Sequence, residues 1–367
     1  MLLSFYHSRC FIFLVAIWIT VIWITVVGLL GLPAIADVPD KSETQTFKSM
    51  DQWSCVFAGQ QTTFHYYLPE TKLRQVAVDW TLLSGSRVIG RGTANPLVET
   101  RDDESQISLL VALPELKPGV TMPAILKLSV VLDGKQHTLQ HDLHIYSEEP
   151  FVEQQEFLKQ LRLQLYDPLG STASILDENR IPYTRLRSLA AIDETTDGLI
   201  LAGEGISLDK HDLLMSSLYA AASRGVPVLC LASSNGAWPM KLDAGGDLPL
   251  PELTLSREDW IRQFDKRFDS DHWQSGRSVS RTLELVAVND QVEIQLSKRL
   301  SGWSWLRLKF PARQTRVPAT DMIVCRMELI KSWNETPVPR YLLRHLFEEL
   351  TPQSVDEKEL GNESDEK

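Results

Sequence analysis

The chain has 367 residues, a net charge of −11, 43% hydrophobic and 23% charged residues. That balance excludes global disorder, and the length is enough for two ordinary domains plus a targeting segment. No Lys/Arg-rich run or basic stripe is present, which argues against nucleic acid as a partner.

The first predicted element is an apolar helix. No charge occurs from Cys10 to Ala36, and Phe11 to Leu32 is almost continuously apolar after His7 and Arg9. Pro33 ends that run, and Ala34-Ile35-Ala36 has the small-x-small form of a cleavage site. Residues 1–36 therefore read as a signal peptide, with Asp37 starting the mature chain. The competing reading is an uncleaved anchor over residues 11–32, since a span needs ~20 apolar residues. Both readings place the rest of the chain outside the cytoplasm, periplasmic or secreted. A membrane is a partner only in the second. Residues 37–49 are polar and read as a linker.

From 50 to 147 the pattern is short strands and turns. Thr62–Leu68, Val76–Leu82, Arg87–Gly90 and Ile107–Leu113 read as strands. Ile125–Leu132 pairs with Gln136–Ile145 through Asp133-Gly134, because glycine accepts the positive φ that a two-residue turn requires. Strands at this spacing with no helical stretch predict an antiparallel β-sandwich of immunoglobulin-like size.

After Glu148-Glu149-Pro150, strand and helix alternate. Leu161–Tyr166, Gly198–Ala202 and Val226–Ala232 are apolar strands. Ser171–Glu178 is helix-like. Ser207 is placed to cap a helix running to about Arg224, with Gly225 as its stop. This is the pattern of a flavodoxin-like parallel sheet covered on both faces, spanning residues 155–350. An insertion over 238–318 interrupts it with five tryptophans and an expected β-meander over Thr282–Val288, Gln291–Leu296 and Trp303–Phe310. Met322–Ile330 returns to the sheet and Pro337–Leu350 closes it as a helix. Residues 351–367 hold six acids against two lysines, a net −4, and read as a disordered tail.

Three segments of the α/β part resemble the class I glutamine amidotransferase-like fold, in the non-catalytic version associated with glycoside hydrolases. Asp197–Gly205 resembles its strand and oxyanion-hole glycine loop. Gly225–Ser233 is similar to the strand leading to its nucleophile elbow. Met322–Leu329, followed by Trp333, Pro337 and Leu342-Leu343, is similar to its last strand and helix. The preceding sandwich resembles the immunoglobulin-like modules of such glycosidases through Trp80-Thr81-Leu82, Ile89–Gly92 and Leu143–Tyr146. The resemblance implies that Gly203, Glu204, Ala232, Arg326 and Glu328 form a vestigial site. Ala232 occupies the nucleophile position and Arg326 the histidine position, with only the acid kept as Glu328. Arginine stays protonated and is no general base, so loss of the amidotransferase chemistry is expected. Cys230, two residues before Ala232, is expected to be buried in the sheet.

The remaining constellations carry plainer readings. Cys55, Cys230 and Cys325 are too few and too scattered for a disulfide framework. No metal-ligand spacing and no cofactor fingerprint is present. Ser233-Ser234 lacks a placed histidine; His211 and His272 are the nearest. Asp167–Thr172 reads as a turn with a helix cap rather than a phosphate loop. Asp259, Asp265, Asp269 and Asp271, near Trp260, His272 and Trp273, are interleaved with Arg262, Lys266 and Arg267, which favours a solvated charged face over a glycosidase pair. Asn334-Glu335-Thr336 reads as a turn ahead of a helix rather than a glycan acceptor. Trp238, Trp273 and Trp303 are the possible ligand-binding tryptophans. The expectation is an exported, non-catalytic binding or assembly protein with a carbohydrate or protein partner. The alternatives are a glycoside hydrolase working through the insertion, and a membrane-anchored scaffold.

Overall fold

The computed structural model describes residues 47–69, 74–101, 104–240, 251–268, 273, 279–288, 291–299, 301–312 and 319–351. The signal peptide or anchor, linker residues 37–46, tail residues 352–367, and Asp269, Asp271 and His272 lie outside them.

Nine strands come first: β1 (Lys48–Ser49), β2 (Cys55–Phe57), β3 (Gln61–Leu68), β4 (Val78–Ser84), β5 (Arg87–Ala94), β6 (Glu99–Arg101), β7 (Glu104–Ala112), β8 (Thr121–Leu132) and β9 (Lys135–Tyr146). They form a four-stranded sheet, β1-β3-β7-β6, and a five-stranded sheet, β2-β9-β8-β4-β5. Alternation decides their faces. In β3, Thr62, Phe64, Tyr66 and Leu68 are buried, and in β7 Ile107, Leu109 and Val111 are buried. Both sets meet Val78, Leu82, Leu126, Leu128 and Val130 of the other sheet in one core. The β8–β9 hairpin turns at Asp133 and Gly134, with φ of 49° and 74°, as the sequence requires. Two details differ from the sequence reading. β2 runs parallel to β9 rather than antiparallel. The linker ends earlier than residue 49, because Phe47 is buried in the core and β1 pairs with Tyr66 and Tyr67 of β3.

The second part contains α1 (Gln155–Leu161), β10 (Gln164–Tyr166), α2 (Ser171–Glu178), β11 (Thr184–Leu186), α3 (Leu189–Glu194), β12 (Ile200–Ala202), α4 (Leu214–Ser223), β13 (Val228–Cys230), β14 (Ala237–Met240), β15 (Glu252–Ser256), β16 (Thr282–Val288), β17 (Gln291–Ser297), β18 (Trp305–Phe310), β19 (Thr320–Cys325) and α5 (Val338–Leu350). Its main sheet runs β11-β10-β12-β13-β19-β18-β15. The first five strands are parallel, in the order 2-1-3-4-5 of a doubly wound sheet. Successive residues alternate between its faces. Leu199, Leu201, Leu229, Ile323 and Cys325 face α2 and α5, while Ile200, Ala202, Val228, Cys230, Met322 and Val324 face α4.

Three expectations change here. The Trp-rich insertion is not one meander. β17 pairs with both β14 and β16 in a separate three-stranded sheet, whereas β18 pairs with β19 and extends the main sheet. The reason is packing: Leu306 and Leu308 lie opposite Val324 and Met322 and complete the same apolar face, and Arg307 reaches Asp321 and Glu349. The helix expected from Ser207 starts only at Leu214, and the buried Ser207 hydroxyl has no partner among the described residues. The strand expected from Leu161 starts at Gln164, because Arg162 ends α1 in the left-handed conformation.

Candidate functional site

In doubly wound sheets, ligands bind outside the carboxyl ends of the strands. Here those ends carry Asp167 after β10, Gly203 and Glu204 after β12, Ala232 after β13, and Arg326 and Glu328 after β19.

Asp167 is buried and used by its own helix. One carboxylate oxygen accepts the Leu169 and Gly170 N–H groups at 3.2 and 3.0 Å, and the other accepts the Ala173 N–H at 2.8 Å. The turn ahead of α2 is thus filled by a side chain, in line with the plainer reading of Asp167–Thr172. Gly203 is required by the close approach, since a Cβ there would lie 2.9 Å from the Asp167 carboxyl carbon.

Glu204 ties two distant loops together. Its N–H donates to the Thr172 hydroxyl at 2.9 Å. Its carboxylate accepts the Ile330 and Lys331 N–H groups at 2.8 and 3.0 Å. Burial pushes its pKa up to about 7, against the opposing pull of those two hydrogen bonds. The sequence reading put Glu204 in the vestigial site but did not foresee its tie to the loop after β19. The signal was a charged residue just after a fully buried strand, since Glu is almost never fully buried unless paired.

Ala232 is buried, and its carbonyl accepts the Gly205 N–H at 2.7 Å. Cys230 is 1% exposed, with its thiol 4.0 Å from the Ser233 hydroxyl, and burial pushes its pKa up to about 11. Neither residue presents a nucleophile to solvent.

Arg326 is 1% exposed. Its Nε donates to the Arg281 carbonyl at 3.2 Å, while Nη1 has no partner among the described residues. Burial lowers its pKa, and the ionisable groups that bear on its charge are Cys230, Cys325, Glu204 and Glu328. Glu328 pairs with Lys331 at 2.6 Å, and none of the described ion pairs includes Arg326.

The three tryptophans do not share a cleft. Trp238 and Trp303 pack on the α4 face of the main sheet with Leu283 and Ile294. Trp273 is 1% exposed on the opposite face, its indole N–H donating to the Phe268 carbonyl at 3.1 Å. The main sheet lies between the two clusters, to which its strands contribute alternate residues. In the acidic insertion, burial raises the Asp265 pKa but the bonds from Arg267 outweigh it and hold the carboxylate low. Arg267 also covers the Tyr146 ring. Trp260 meets Trp305 edge-on, with centroids 4.9 Å apart. His211 Nδ1 lies 3.0 Å from the Tyr166 hydroxyl, and the Asn334 side-chain oxygen accepts from Arg340 at 2.9 Å. Among the described residues no group of three or more His, Cys, Asp or Glu could hold a metal ion, and no helix is long and apolar enough to cross a membrane.

No protein family matches the chain, and no curated protein does either. A chain from a structure described as the basis of T cell specificity and activation by the bacterial superantigen toxic shock syndrome toxin-1 is 7% identical, with a TM-score of 0.18. That match covers 28% of this chain and 98% of the other. A Paenibacillus sp. cycloisomaltooligosaccharide glucanotransferase, complexed with cycloisomaltoheptaose, is 8% identical with a TM-score of 0.24, over 69% of this chain. This chain spans 34% of the glucanotransferase's length. Likeness at these scores carries no argument about fold or activity.

Proposed function

We propose that this chain is an exported, non-catalytic binding or assembly protein, in which an immunoglobulin-like sandwich carries a degenerate amidotransferase-like domain. The observation that supports this most is the filling of the strand ends. Ala232 stands where the resemblance requires a nucleophile, and the buried Arg326 guanidinium stands where it requires a base. Asp167 and Glu204 are committed to backbone N–H groups beside them. Covalent turnover of the amidotransferase kind needs an exposed nucleophile next to a titratable base. The glycoside hydrolase alternative draws no support from the insertion, where Asp265 is committed to Arg267 and Trp273 is buried.

The test is thiol labelling together with glutaminase assay of the purified protein. Cys230 should react with an alkylating reagent only after unfolding, because a thiol with a pKa of about 11 and no access is inert. Glutamine hydrolysis should be absent. Rapid labelling of the native protein, accompanied by loss of a measured hydrolysis, would overturn the proposal.

A further inference from the structure

The sandwich carries a cleft of about 430 Å³ beside β3, within the size range of small-molecule sites. We infer that this cleft binds a neutral saccharide. The inference deepens the binding reading above by giving it a ligand class and a place.

Strand geometry makes the cleft. β1 pairs only with Tyr66 and Tyr67, after which the Met50 N–H donates to the His65 carbonyl at 2.9 Å. The Asp51 carboxylate then accepts the His65 N–H at 2.6 Å. Residues two apart on a strand direct their N–H and C=O groups to the same side. Gln61 and Thr63 therefore direct theirs to the side where β1 has ended, and no described strand pairs with them there. The side chains of Gln61, Thr63 and His65 share the outward face of the same stretch. Two residues of open edge are too short for an added peptide strand, but suffice for a small ligand with donors and acceptors.

The lining selects the chemistry. Among the described residues it contains no Lys or Arg to attract an anion. Its one carboxylate among the described residues, Asp51, accepts the His65 N–H at 2.6 Å and lies 3.3 Å from His65 Nδ1, and a single carboxylate is too few ligands to hold a hard cation. Its apolar members, Trp53 and Phe57, are buried beneath the polar rim and offer little surface to an apolar ligand. What remains is an amide, a hydroxyl, an imidazole and two backbone edges. Those groups match neutral hydroxyls that both donate and accept. Gln60, the other rim amide, already donates to Glu148 at 2.5 Å and fixes the cleft's wall.

Calorimetric titration of the full chain with glucose, galactose, N-acetylglucosamine and maltose tests this. At least one of the four should bind. Gln61→Ala and Thr63→Val should each weaken it about tenfold, the loss expected for one or two hydrogen bonds. Thr93→Val, an exposed hydroxyl on β5, should leave binding unchanged. Absence of binding by all four sugars, or binding that survives both cleft variants, would overturn the inference. Neither result touches the non-catalytic reading, which fails instead on glutaminase turnover and native labelling of Cys230.

Discussion

Glu204 takes two backbone N–H groups from the loop after β19, and burial still raises its pKa from 4.5 to about 7. A carboxyl whose folded pKa lies above its unfolded value binds more protons in the folded state between those two values. Stability therefore falls as pH rises from about 4.5 to about 7, and the deficit, about 3 kcal/mol, persists above that. His141 acts in the opposite sense, since burial lowers its pKa and its protonation on unfolding destabilises the fold as pH falls. The informative quantity is the difference between proteins. Glu204→Gln should be less stable than the parent at about pH 5, where it gains no charge relief and turns its amide N–H₂ towards one of the two backbone donors. Near pH 8 the gap should close by about 2–3 kcal/mol. Urea denaturation at the two pH values measures it, and a gap independent of pH would show that Glu204 is ionised throughout.

At the scale of elements, glycine positions separate a demanding contact from a permissive one. Gly198, ahead of β12, has φ of 77°, and a Cβ there would lie 2.2 Å from the Arg162 carbonyl oxygen at the end of α1. Gly134 in the β8–β9 hairpin has nearly the same φ, 74°, but open space around it. Gly134→Ala should cost only the left-handed backbone strain, about 1 kcal/mol, whereas Gly198→Ala must also push α1 off the sheet and should cost about 3 kcal/mol or more. Thermal melts of the two variants decide this; equal losses would mean that the α1 end yields freely. The same pair shows what was legible in the sequence. The Asp133-Gly134 turn and the helix Ser171–Glu178 are local and were placed correctly, because turn chemistry and capping act within a few residues. β18 was assigned to the wrong sheet because alternation in Trp305–Phe310 fixes two faces but not a neighbour, and its neighbour β19 is set by long-range packing. Nothing local in Trp238, Trp273 and Trp303 tells which face of a distant sheet each will cover. At the strand ends, burial of Cys230 followed from its apolar strand, but the Glu204 tie to Ile330 and Lys331 crosses 126 residues and has no local signature.

Across the whole described molecule, the sandwich and the α/β part are joined through a packed seam rather than a bare linker. Cys55 and Tyr146 from the sandwich belong to the same apolar core as Phe268, Tyr341 and Phe347. Tyr341 is its centre: its ring meets Tyr146 edge-on at 4.7 Å, and its hydroxyl lies 2.8 Å from the Ser147 hydroxyl. Around it, Arg340 donates to the Glu148 carbonyl at 2.7 Å and covers the Phe57 ring, and Gln154 donates to Glu348 at 2.8 Å. The Cys55 thiol, pushed up to about 12 mainly by burial, donates to the Arg267 carbonyl at 3.1 Å. A seam of this kind couples the two parts, so the protein should unfold in a single transition seen alike by far-ultraviolet and aromatic circular dichroism. Tyr341→Ala removes a buried ring and the Ser147 bond together. It should cost about 3–5 kcal/mol, in the range for aromatic truncation in a core. Because the loss falls on the seam, it should also split the single transition into two, the part with fewer remaining contacts melting first. A single coincident transition in the variant, shifted by less than about 1 kcal/mol, would show that Tyr341 carries little of the coupling and that the other seam contacts suffice to hold the two parts together.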